Sequence, residues 1–161
     1  MSGPIRKYAP FWMSILASLA AATVSMAGGF YLQVEIPKPN EAQGAALLVR
    51  AYGCLSPTDA EITATAEGIV GGERRSVKLD LTHRGGGVYA IRQQWPQEGA
   101  WVLAINGSYK AKGMAASALV TLGPSGQVTA KDKGLEVRYS NRRLAARDID
   151  SALSAQRVAL K

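Results

Sequence analysis

The chain has 161 residues, a formal net charge of +7 and 47% hydrophobic residues, too apolar for a disordered polypeptide and of a length suited to one domain with one core. Seventeen glycines and seven prolines favour a turn-rich fold over a helix bundle. One cysteine, Cys54, and one histidine, His83, exclude an intrachain disulfide, any site needing two imidazoles, and a zinc cluster built from four ligands of these two types.

Arg6 and Lys7 form a short positive start, and no charge follows from Tyr8 to Val34. Phe11 to Val24 is the most apolar part and has the length of a signal-peptide hydrophobic region. Ser25 and Ala27 then stand at the −3 and −1 positions, where signal peptidase admits only small side chains. The spacing predicts cleavage after Ala27 and an exported chain beginning at Gly28. The alternative is a retained membrane anchor reaching to about Val34, because the uncharged run exceeds the roughly 20 residues that span a bilayer. Positive charge ahead of it places the body outside the cytoplasm in that case too. Both readings export the body, as a periplasmic or secreted protein or as one held at the inner membrane. Residues 28–44, with Pro37-Lys38-Pro39-Asn40-Glu41, read as a stiff solvated linker.

From Ala45 onward the hydrophobic period is two. Ala46 to Tyr52 opens the body as a strand, ahead of Cys54. Ile62, Ala64 and Ala66 alternate with Thr63, Thr65 and Glu67, and Val77, Leu79 and Leu81 alternate with Lys78, Asp80 and Thr82. Gly71-Gly72 can supply the positive φ of a tight turn, so the pattern pairs residues 61–70 with 73–82. Gly85-Gly86-Gly87 breaks the next connection, and Val88 to Trp95 reads as a strand stopped by Pro96. Trp101 to Ile105 is uniformly apolar, as a central strand covered on both faces is. Asn106-Gly107 predicts a hairpin turn, Ser117 to Leu122 a further strand, and Gln127–Lys131 with Leu135–Tyr139 a last, more exposed pair. The body at 45–139 is therefore expected to be mainly β, an immunoglobulin-like or transthyretin-like antiparallel β-sandwich of seven or eight strands, with an open barrel as the alternative. Residues 140–161 contain no Gly or Pro; with Ser140 or Asn141 as cap, Leu144, Ile149, Leu153 and Leu160 trace one side of an amphipathic C-terminal helix.

The segment Gly87-Val88-Tyr89-Ala90-Ile91, followed by Trp95-Pro96-Gln97-Glu98-Gly99-Ala100-Trp101-Val102-Leu103, resembles the core hairpin of small exported bacterial sandwich domains. YtkA-like and carboxypeptidase-regulatory-like modules show a similar arrangement. The resemblance implies a compact sandwich with an accessory or binding role. Copper-handling relatives of such modules carry further His and Met ligands; here the mature chain offers His83 and Met114.

Candidate sites are few. His83, ahead of three glycines at an exposed loop, and Met114 are the weak metal-ligand candidates, with Cys54 as the remaining soft donor. Cys54 lacks a Cys-x-x-Cys partner and reads as a small buried hydrophobe. Among Tyr89, Trp95, Trp101 and Tyr109, Trp95 at a strand end is the expected exposed aromatic and a partner-binding candidate, whereas Trp101 reads as core. Arg74-Arg75 and Arg142-Arg143 are basic pairs, and Arg142, Arg143 and Arg147 are the further partner-binding candidates. Asn106-Gly107-Ser108 matches a glycosylation acceptor and equally a turn. No nucleophile elbow, phosphate-binding glycine loop or nucleic-acid motif is present, so neither a catalytic residue nor a cofactor is expected, and nucleic acid is not the expected partner.

The charge is unevenly spread. Residues 28–130 hold nine basic and eight acidic groups, whereas residues 131–161 hold eight basic and four acidic ones. An envelope protein or an anionic surface is thus expected to meet the C-terminal segment, and a membrane is involved only where the N-terminal segment is retained. The expected function is that of a non-catalytic exported interaction module of the bacterial cell envelope. The alternative is a periplasmic accessory protein that binds a metal or small ligand.

Overall fold

A computed structural model describes residues 29–53, 57–124, 126–128 and 135–159. The expected signal segment 1–27, Cys54 and Leu160 lie outside the described residues. No helix among the described residues is long and apolar enough to cross a membrane. In chain order the elements are β1 (Tyr31–Glu35), α1 (Pro39–Ala42), β2 (Leu47–Tyr52), β3 (Glu61–Val70), β4 (Glu73–Leu79), β5 (Leu81–His83), β6 (Val88–Ile91), β7 (Ala100–Tyr109), β8 (Met114–Thr121), β9 (Val137–Ser140) and α2 (Ala146–Ala159).

The strands form two antiparallel sheets, one in the order β1-β2-β6-β5 and the other in the order β4-β3-β7-β8-β9. Their inner faces share one core. Leu32, Val34, Leu47, Val49 and Ile91 of the first sheet join Ala64, Ala66, Leu103, Ile105 and Val120 of the second. The period-two alternation dictates this, since inward residues of each strand lie two apart. Burial of this apolar surface, worth roughly 25 cal/mol per Å², is the main stabilising contribution.

The long strand β7 shows why its sequence lacks alternation. Trp101, Leu103 and Ile105 face the shared core, whereas Val102 and Ala104 face outward beneath α2. Leu119 of β8, Ala152 and Leu153 of α2, and the partly buried Ile69, Leu144 and Ile149 complete this second cluster. Trp101 is paired with Gly68 of β3 and lies over it, so that a Cβ at Gly68 would come within 2.4 Å of the indole ring.

The Gly71-Gly72 turn joins β3 to β4 as expected, with φ of 58° and 88°. The stretch 73–82, expected as one strand, instead changes sheet at Asp80. Its first part pairs with β3 and its last part, β5, pairs with β6. Gln94 holds this corner: its Oε1 accepts the Asp80 N–H at 3.0 Å and its Nε2 donates to the Asp80 carbonyl at 3.0 Å. The sheets are tied again at the opposite side, where the Tyr139 hydroxyl of β9 accepts the Val34 N–H of β1 at 3.0 Å and faces the Val34 carbonyl at 3.4 Å.

Several expectations are corrected. The linker at 28–44 contains a strand and a short helix: Leu32 and Val34, the end of the uncharged run, are buried in the core as part of β1. Asn106-Gly107 is no turn but lies inside β7, because the missing Cβ at Gly107 makes room for Phe30 and Leu32; the actual turn follows at Lys110–Lys112 and Gly113, φ 62°. The strand after Val88 stops at Ile91 rather than Trp95. Val137–Ser140 pairs with β8; of its expected partner segment 127–131, residues 129–131 lie outside the described residues. The helix starts at Ala146, since residues 141–145 form a non-helical connection bonded to β8 through the Arg142 carbonyl and to β7 through the Leu144 N–H.

Candidate functional site

The C-terminal segment carries the excess charge, and its placement begins with Asn106. The Asn106 Oδ1 accepts the Leu144 N–H at 2.9 Å, and the Ser117 hydroxyl donates to the Arg142 carbonyl at 2.7 Å. The first turn of α2 is then capped from within. Asp148 Oδ2 accepts the Ala145 N–H at 2.8 Å, reaching back from the third helical position as in a capping box. Arg142 grips the same carboxylate with both guanidinium nitrogens, at 2.7 and 2.9 Å. These bonds hold the Asp148 carboxyl well below the usual carboxylate range, the Arg142 guanidinium being the larger cause. Further along, Gln156 Nε2 donates to the Leu122 carbonyl at 2.7 Å, and Arg74 on β4 joins Asp150 to Glu67.

The three expected arginines therefore divide. Arg142 is committed to Asp148 and serves as a clamp. Arg143 and Arg147 are exposed, and among the described residues no acidic side chain forms a salt bridge with either.

Among the described residues, clefts open on both outer faces, and two of them bear on this segment and on the four-stranded sheet. One, of about 340 Å³, lies between α2 and the β8–β9 edge and is lined by Thr121, Gly123, Glu136, Arg138, Ser151 and Gln156 among others. Gln156 is 6% exposed, and its Oε1 is buried without a hydrogen-bond partner among the described residues. The other, wider and about 540 Å³, lies on the four-stranded sheet beside α1 and includes Glu41, Leu48, Arg50, Arg84 and Val88. Its arginines are engaged: Arg50 Nε is 2.6 Å from Glu35, and Arg84 donates to the Glu41 and Ala42 carbonyls at 2.6 and 3.1 Å.

The remaining expected site residues are scattered. Trp95, expected at an exposed rim, is 3% exposed; its indole N–H donates to the Gly126 carbonyl at 2.6 Å, the partner that a buried indole needs. His83 is exposed at the end of β5, its ring 4.9 Å from that of Tyr89. Tyr89 donates to the Ala60 carbonyl at 2.8 Å, and burial pushes its hydroxyl pKa up. Met114 begins β8 in the other sheet. Since β5 packs against β3 and β8 against β1, His83 and Met114 lie on opposite sides of the fold and share no site. Among the described residues no group of three or more His, Cys, Asp or Glu side chains gathers to hold a metal. Asn106 spends its Oδ1 on Leu144, and Ser108 is buried, so the glycosylation tripeptide sits inside a strand.

Sequence reasoning missed the Tyr31–Tyr52 stack, with ring centroids 5.1 Å apart on the outer face of β1–β2. Tyr31 is 56% exposed. The signal was present as the alternation in Tyr31-Leu32-Gln33-Val34-Glu35, hidden beneath the uncharged run. Glu136, Arg138 and Gln156 were also passed over, because nothing in their spacing shows that a strand edge and a helix meet. No protein-family model, curated protein or solved structure matches the chain.

Proposed function

We propose that the chain is a non-catalytic, exported immunoglobulin-type sandwich that acts as an interaction module of a bacterial cell envelope, through its C-terminal basic segment. Strand order supports the immunoglobulin type. Lettering β1 to β8 as A, B, C, C′, D, E, F and G yields the orders A-B-E-D and C′-C-F-G, as in immunoglobulin domains, with β9 added beside G. The observation that carries the functional reading is the pair Arg143 and Arg147, exposed and without a salt-bridge partner among the described residues, beside the Arg142–Asp148 clamp. Cationic side chains on a segment already bonded to the sheet attract an anionic surface without the entropic cost of ordering a tail.

Cell fractionation and N-terminal sequencing test export, with Gly28 as the expected first residue. Co-sedimentation of the exported protein with the envelope fraction tests the surface. Arg143→Glu with Arg147→Glu is expected to abolish a salt-sensitive association while circular dichroism stays unchanged. A cytoplasmic protein, or an association indifferent to both reversals, overturns the reading. The alternative, an accessory protein for a small ligand, draws on the α2–β9 cleft, where Gln156 Oε1 offers an acceptor to a ligand N–H or O–H. Ligand-induced thermal stabilisation lost in Gln156→Leu favours it.

A further inference from the structure

We propose that the chain self-associates through the outer edge of β9, where β9 of a second copy adds antiparallel in a register centred on Val137. This inference needs neither the envelope location nor the basic surface.

The argument starts from the four sheet edges, because an unpaired edge strand is a template for another strand unless it is guarded. At β1 the main-chain groups of Val34 are met by the Tyr139 hydroxyl. β5 has only three residues. β4 bears Arg74, Ser76 and Lys78 on its outward face, so self-pairing about its middle residue, Ser76, sets Arg74 against Lys78 of the other copy. Like charges directly opposite are repulsive.

β9 has four residues, and among the described residues nothing guards its outer edge. The Thr121 N–H donates to the Glu136 carbonyl at 3.1 Å, and Leu119 and Val120 stand opposite Arg138 and Val137. In an antiparallel ladder this directs the main-chain groups of Glu136 and Arg138 toward β8 and those of Val137 and Tyr139 away from it. No described residue bonds the latter. Both side chains beside Val137 are exposed and of opposite sign: Glu136 on one side, Arg138 on the other. A two-fold axis through Val137 therefore places each Glu136 opposite the second copy's Arg138, twice over. It also matches outward-facing main-chain groups with one another, since Val137 meets Val137 and Tyr139 meets Leu135. Moving the centre to Arg138 sets guanidinium against guanidinium. Charge and hydrogen-bond parity thus select one register, and the two five-stranded sheets become one continuous sheet.

The test is sedimentation velocity over a concentration series of the full-length chain as its host makes it. A reversible monomer–dimer equilibrium is expected. Glu136→Arg alone and Arg138→Glu alone should each weaken the dimer by about tenfold or more, since each change opposes like charges twice. The two changes combined should restore it. In a Cys54→Ser background, Val137→Cys should form a disulfide-linked dimer on oxidation, since hydrogen-bonded partners have Cα atoms about 5.5 Å apart. Arg138→Cys should not, because its two copies stand roughly 8–9 Å apart in this register. A monomer at every concentration, including one whose edge takes up a foreign extended peptide instead, overturns the proposal. So does a dimer indifferent to the single reversals, or one the double change fails to restore.

Discussion

At the scale of single residues, two positions show how little room the core leaves. Gly68 has no side chain because Trp101 occupies that space: a Cβ there would stand 2.4 Å from the ring. Gly68→Ala forces the largest core side chain off its site, so a loss of about 2–3 kcal/mol is expected, read as a lower urea midpoint at unchanged slope. Gly107 plays the same part for Phe30. Neither role was legible in advance. Gly107 after Asn106 reads as a turn and Gly68 as an ordinary position of the strand 61–70, and only the side chains packed against them show that both positions need emptiness. Trp95 failed as an exposed aromatic for a related reason, since the Gly126 carbonyl that satisfies its N–H lies thirty-one residues away.

At the scale of elements, α2 is held by its start more than by its length. Asp148 serves both the Ala145 N–H and Arg142, and its folded-state pKa is depressed. The sign follows directly. A carboxyl with a depressed pKa contributes stability at pH values above its unfolded value, near 4, and that contribution is lost as pH falls from about 4 downward. Far-UV circular dichroism and denaturant melts between neutral pH and pH 2 should therefore show an acid-sensitive loss that Asp148→Asn diminishes, because the variant has already forfeited the ion pair. The helix itself was legible from Leu144, Ile149 and Leu153; its late start was not, because the bond from Asn106 to Leu144 is a contact across thirty-eight residues. The same holds for β4 and β5. The alternation through Asp80 runs unbroken in the sequence, and only the Gln94 amide reveals where the strand crosses between sheets.

At the scale of the whole molecule, the two sheets are joined by the strand crossing at Asp80 on one side and by Tyr139 on the other. Tyr139 is 52% exposed, and its value lies in the hydroxyl rather than in burial. Tyr139→Phe should therefore cost about 1 kcal/mol in a denaturant melt and leave the Val34 N–H open at the edge of β1. The mainly-β character and the doubly covered β7 were legible from period-two alternation and its interruption. The first strand was hidden inside an uncharged run, and the two clefts were hidden because each is made by elements far apart in the chain. The seam at Tyr139 has a consequence in time. Within the two sheets, β1 is synthesised before every other strand and its lock, in β9, after them, while the outer face of β7 stays bare until α2 follows. The ribosome must therefore deliver β9 and α2 before either closure forms, so β1 and the outer face of β7 wait on segments synthesised after them.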